Sequence, residues 1–158
     1  MEIVKIPRMP REEDDRLIRK NHLCRIAFQG EEHPYIAPFI YVFDGHYLYF
    51  LSTKYGKKID LYRKSPSVAV EIEEYSSDLS AYSFVTLRGR LEEVAGSEAK
   101  RSIKERFAAL IKGGGLSPGI MAAFGHDPQD PPGALVREDR TLVWKLVGVR
   151  EIVALKNR

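Results

Sequence analysis

Strand-like segments with a side-chain period of two recur along this chain, separated by stretches of helical period and by loops. Residues 22–28 (HLCRIAF) set Leu23, Arg25 and Ala27 on one face and Cys24, Ile26 and Phe28 on the other. Residues 33–43 (HPYIAPFIYVF) are apolar on both faces. Tyr35, Ala37, Phe39, Tyr41 and Phe43 point one way, and Pro34, Ile36, Pro38, Ile40 and Val42 the other. A strand of a one-sided antiparallel sheet has a wet face, so this one requires cover on both sides. Pro38 cannot donate to a ladder and marks an edge or a bulge. Asp44-Gly45 is a hairpin signal that joins this strand to the next, 46–51. Residues 67–75 form a fourth strand with Val68, Val70 and Ile72 on one face. Residues 80–94 form a fifth, in which Gly89 marks a bulge, a barrel corner or a close approach. Residues 141–155 form a sixth, bent near Gly148.

Helical periodicity interrupts the strands. Residues 10–21 open on Pro10, carry acidic residues at 12–15 and end with Arg16, Arg19 and Lys20, matching the helix dipole at both ends. Residues 97–111 place Ala99, Ile103, Phe107 and Leu110/Ile111 on one stripe. Residues 113–134 hold ten glycines and prolines among 22 positions. They predict a long loop with one turn of helix near Pro118–Phe124, the whole Gly/Pro-rich connection reaching to residue 140. Loops of this length are functional or wrap a partner. Six strands joined mainly by hairpins, with helices inserted, predict a mainly β fold. The expectation is a six-stranded antiparallel barrel forming one domain over residues 1–158, not a doubly wound sheet.

One segment departs from the helix rules. After the strand at 47–52, Tyr55, Ile59 and Tyr62 recur at i, i+4 and i+7, with Ser52 or Thr53 as N-cap and Pro66 as the stop. Lys57 and Lys58 then fall in the first turn, where carboxylates are favoured and each misplaced charge costs about 0.3–1 kcal/mol. An anion resting there removes the conflict, since backbone N–H groups, hydroxyls and two ammoniums together hold a phosphate. The plain alternative is a solvated lysine pair. Neither the P-loop nor the dinucleotide-binding glycine pattern is present.

With 158 residues, 44% hydrophobic and 30% charged, the composition is that of an ordinary globular protein. The net charge of +3 permits anionic ligands without pointing to nucleic acid. A single cysteine, Cys24, excludes an internal disulfide framework. The N-terminus lacks the apolar core of a signal peptide and no run reaches the length of a membrane span. A cytoplasmic protein without a membrane partner is expected. His22 and Cys24 share a face but lack further ligands, so no metal site is expected. His46 and the His126-Asp127 pair read as surface residues, Arg88 and Arg90 as exposed barrel charges, and Trp144 as core or dimer packing. No nucleophilic triad or dyad follows from spacing, and no catalytic residue is named.

The segments CRIAF (24–28), PYIAPFIYVFDG (34–45), LYFLSTKYGKKIDLYRKSPSVAVEI (48–72) and FVTLRGRLEEV (84–94) carry a resemblance through their order and spacing. Together they resemble the pyridoxamine 5'-phosphate oxidase-like split-barrel family, in its nitroimidazole-reductase-like branch. The resemblance implies a homodimer with FMN between the protomers. It puts the FMN phosphate on Ser52, Thr53, Lys57 and Lys58, with Leu51 touching the flavin from the strand end. The ring then rests on Pro38, Phe39 and Ile40, and Trp144 is a further candidate for lining it. Three departures stand out. Both members of the basic pair are lysines where the oxidases place an arginine first, Leu51 stands where many relatives have histidine, and the arginine-and-histidine pattern that binds pyridoxal is missing. The last argues against vitamin B6 oxidation. The implied activity is FMN-dependent transfer of electrons or hydride from a nicotinamide-type donor to a small-molecule acceptor. A non-catalytic flavin or haem binder is the alternative, and a deazaflavin in place of FMN stays open. A nucleic-acid-binding barrel, with Lys54, Lys57, Lys58, Arg63 and Lys64 as a basic rim, is disfavoured.

Overall fold

The computed structural model describes residues 2–157. The six expected strands are present as β1 (Leu23–Phe28), β2 (Tyr35–Phe43), β3 (Leu48–Thr53), β4 (Ser67–Tyr75), β5 (Tyr82–Glu93) and β6 (Thr141–Lys156). Every neighbouring pair is antiparallel, and the order β1-β2-β3-β6-β5-β4 closes into a barrel. Between the strands lie α1 (Arg11–Lys20), α2 (Lys57–Lys64), α3 (Ser97–Lys112), a 3-10 helix (Pro118–Phe124) and the single turn α4 (Ala134–Arg137). Pro10 caps α1 from just outside its first turn.

Strand alternation sorts the side chains. Ile26, Tyr41, Phe50, Val70, Val85 and Trp144 turn into the barrel and are fully buried. Each such side chain contributes about 1.5–3 kcal/mol by leaving water. The Tyr41 hydroxyl satisfies itself by donating to the carbonyl of Ile18 at 2.7 Å, which ties α1 to the barrel. Gly89 is a true bulge: the β5–β6 register slips between Arg88 and Arg90. A Cβ at Gly89 would lie 2.7 Å from the Val147 carbonyl oxygen, so the strands approach more closely there than any side chain allows. Gly148 takes a φ of 59° in the middle of β6.

The Gly/Pro-rich connection is more than a loop. Its apolar residues Met121, Phe124 and Leu135 join Ile103 and Phe107 of α3 in a second core, laid over the outward faces of Val42, Leu51 and Val143. That layer is one of the two covers the doubly apolar β2 requires, and it reaches only the strand's last residues. Ile36, on the same outward face, remains 64% exposed.

The barrel is nevertheless split at one seam. β2 and β3 pair only through Tyr41–Phe43 and Leu48–Phe50. Before Tyr41, β2 pairs with β1 alone; after Phe50, β3 pairs with β6 alone. A fork therefore opens between them, and Pro38 lies on its unpaired limb, where a missing N–H costs nothing. No helix among the described residues is long and apolar enough to cross a membrane.

Candidate anion site at the barrel fork

α2 begins in the fork. Its N-cap is Gly56, with φ 105° and no side-chain cap, and Lys57 and Lys58 are its first two residues. The expected cap at Ser52 or Thr53 is not made, because pairing with β6 (Ser52 with Leu142, Thr53 with Thr141) keeps both residues in the strand. Tyr55 correspondingly falls before the helix and is 73% exposed, while Ile59 packs into the core and Tyr62 lies against Trp144. The first turn of α2 thus presents free backbone N–H groups beside two lysines.

Both lysines reach across the fork toward β2. Lys57 Nζ stands 5.6 Å from the centre of the Tyr35 ring, and Lys58 Nζ 6.0 Å from that of Phe39. Lys58 also donates to Thr53 Oγ1 at 2.9 Å. Among the described residues neither lysine has a carboxylate partner, in contrast to their neighbours. Lys54 pairs with Asp139 at 3.0 Å and Lys64 with Glu31 at 2.8 Å. Partial burial of Lys58 holds its pKa below the ordinary lysine value.

The other expected site residues separate into those the fork exposes and those it buries. Pro38 is exposed and Ile40 half-buried, both on the outward face of β2; the side chain of Phe39 turns inward and packs against Phe50 and Trp144. Ser52 also turns inward, and its hydroxyl donates to the Thr53 carbonyl at 2.8 Å, so only the Thr53 hydroxyl meets the basic pair. Leu51 lies under α3 and the 3-10 helix, 3% exposed. Trp144 lies at the centre of the barrel, fully buried behind Phe28, Phe39 and Tyr62, which fits core packing. A cavity of about 680 Å³, lined in part by Arg88, Gly89, Arg90 and Arg150, shares no residue with the fork.

Two further groups escape sequence reasoning. Lys104 is buried on α3 and faces Asp139 at 3.6 Å; with Lys54 it clamps the end of β3 to α3. His126 is not a surface residue. Its side chain is 0% exposed, and it stands 3.5 Å from a carboxylate oxygen of Asp130 and 3.5 Å from one of Glu138. The His126/Asp130 spacing of four was the one available signal, in a segment without periodicity to give it direction.

A model of the pyridoxamine 5'-phosphate oxidase family matches residues 10–130. The chain belongs to this family. An uncharacterized protein of Rhizobium meliloti is 31% identical over 117 residues, which cover 70% of the present chain and 76% of that relative. Among solved structures the fold is shared by an FAD-binding protein from Mesorhizobium loti (TM-score 0.68, 20% identity, 97% of this chain and 99% of that one). It is also shared by a protein of Bacteroides thetaiotaomicron provisionally named for 5-nitroimidazole antibiotic resistance (TM-score 0.62, 19% identity, 96% and 90%). The split barrel of the pyridoxamine 5'-phosphate oxidase family is thus the architecture that the six strands build.

Proposed function

We propose that this protein binds FMN at the fork of a homodimer and acts as an oxidoreductase, passing electrons or hydride from a nicotinamide-type donor to a small acceptor. The observation that carries the reading is the uncapped start of α2, where Lys57 and Lys58 stand without a carboxylate beside the Thr53 hydroxyl. A phosphate fits this donor set. It would accept from the first N–H groups of α2 and from the ammoniums, and Lys58, being partly buried, interacts with charge more strongly than a lysine in bulk water. Lysine contributes charge here without the fixed fork of arginine, so the backbone and Thr53 set the orientation of the phosphate.

The outward faces of Pro38 and Ile40 offer an apolar shelf beside this cradle, and Ile36 extends it into the surface a second protomer would cover. Flavin, when bound, supplies the redox chemistry itself, and the protein has to bind, orient and shield it. Solved relatives described as FAD-binding support a flavin as the ligand. The inward turn of Phe39 and Tyr41 supports this reading over a nucleic-acid-binding one, which needs those rings as an exposed stacking platform.

The test is the visible spectrum of the purified protein after incubation with FMN, or in parallel FAD, and desalting. Retained flavin that bleaches anaerobically with NADH or NADPH is the expected result. Retained flavin that no nicotinamide donor reduces would favour the non-catalytic binder, which a solved relative described as binding FAD and haem makes concrete. A protein that retains neither flavin overturns the proposal.

A further inference from the structure

We propose that His126, Asp130 and Glu138 form a binding site for a divalent transition metal of the zinc class. The three residues come from the segment between the 3-10 helix and β6, and their ligand atoms all lie within 4.8 Å of one another. The imidazole is fully buried, yet neither ring nitrogen has a hydrogen-bond partner. Two of the seven buried side-chain polar atoms left unpartnered among the described residues are the two ring nitrogens of His126. Burying both nitrogens of one imidazole without compensation is costly, and with two carboxylates facing the same ring it points to a further bonding partner.

The distances favour an ion over a hydrogen bond. His126 Nδ1 is 3.5 Å from Asp130 Oδ2 and 3.5 Å from Glu138 Oε2. A charge-assisted N–H···O bond is about 2.7–2.9 Å. Metal bonds of about 2.0–2.1 Å to nitrogen and oxygen instead place neighbouring corners of a tetrahedron about 3.3–3.4 Å apart. One imidazole and two carboxylates select a zinc-like ion over calcium, which prefers six or more oxygens, and leave a fourth position for water. Arg140 Nε, 2.7 Å from Glu138 Oε2, offsets part of the carboxylate charge and orients that ligand from behind.

The site has a structural consequence independent of the flavin reading. Arg140 also donates to the Gly125 carbonyl at 3.1 Å, and a Cβ on Gly125 would sit 3.6 Å from Thr53 Cγ2. An ion at His126 therefore fixes the turn that abuts the end of β3.

The experiment uses the full chain, stripped with a chelator and titrated with Co²⁺ alone, following the visible bands of a four-coordinate ion and the stoichiometry by equilibrium dialysis. One Co²⁺ per chain, displaced by Zn²⁺, is expected. Asp130→Asn and His126→Gln should each weaken binding by at least about tenfold with unchanged far-UV circular dichroism. Should His126→Gln fail to fold, Asp130→Asn, whose carboxylate is partly exposed, decides the matter. Absence of saturable binding in the wild type, or binding that survives Asp130→Asn undiminished, overturns the proposal.

Discussion

The Lys58 ammonium donates to the Thr53 hydroxyl at 2.9 Å, joining the first turn of α2 to the end of β3 with no carboxylate between them. A hydroxyl is a weak partner for a partly buried cation, so the pair retains capacity for an anion. Replacing Lys57 and Lys58 together by alanine should weaken FMN binding by at least about tenfold, since a hydrogen bond to a charged group contributes roughly 1.5–3 kcal/mol. Riboflavin, which lacks the phosphate, should bind the wild type and the double variant alike. Equal losses for both flavins, read by fluorescence titration, would place the lysines somewhere other than on the phosphate.

The burial that lowers the Lys58 pKa gives the site a pH signature. A depressed lysine loses its proton earlier as the pH rises, so anion affinity should begin to fall before the ordinary lysine range is reached. Lys58→Arg keeps its charge throughout and should flatten that alkaline limb. An unchanged limb in Lys58→Arg would remove Lys58 from the cradle.

Ile36 and Pro38 form the part of the β2 outer face that the α3 layer does not close over, and Ile40 lies at the edge of that layer. Light scattering should return the mass of a dimer, and Ile36→Asp should shift it toward the monomer while lowering flavin retention. A wild-type monomer that still holds flavin would mean that one protomer suffices.

Asp44 organises the hairpin between β2 and β3, accepting from the backbone N–H groups of His46 and Tyr47 at 2.8 and 2.7 Å and from the Tyr49 hydroxyl at 3.2 Å. Burial works to raise its pKa, but these donors together hold it below the ordinary aspartate value. Its contribution is complete above the ordinary aspartate pKa and is lost as the pH falls through the lower, folded value. Asp44→Ala should cost about 1 kcal/mol at neutral pH. Its deficit should shrink in acid, a trend that chemical denaturation at several pH values would test.

Much of the barrel was legible because alternation and glycine are local signals. The faces of β1 and β4, the slip at Gly89 and the bend at Gly148 follow from residues within a few positions of each other. The lysine pair was legible for the opposite reason: it breaks the dipole rule that α1 obeys. What stayed hidden depends on partners distant in sequence. Ser52 and Thr53 cannot cap α2 because β6 holds them in the sheet. Leu51 is covered by α3 and the 3-10 helix, and Trp144 is enclosed by β1, β2 and α2. His126 becomes interior only because Phe124 and Leu135 dock the surrounding segment.

The pairing of Thr53 with Thr141 means that the fork is complete only once β6 has joined the barrel. The hairpin β2–β3 and the helix after it are neighbours in the chain and form by local search. The rail that holds Thr53 in place arrives only with β6, after α3 and the whole Gly/Pro-rich connection. Closing a contact of that sequence separation is slow. On the ribosome, the first hundred residues carry both lysines and their hydroxyl yet lack the strand that aligns them. Any anion held at this site would thus report a finished barrel, and a chain that stops short of β6 would lack the aligned cradle.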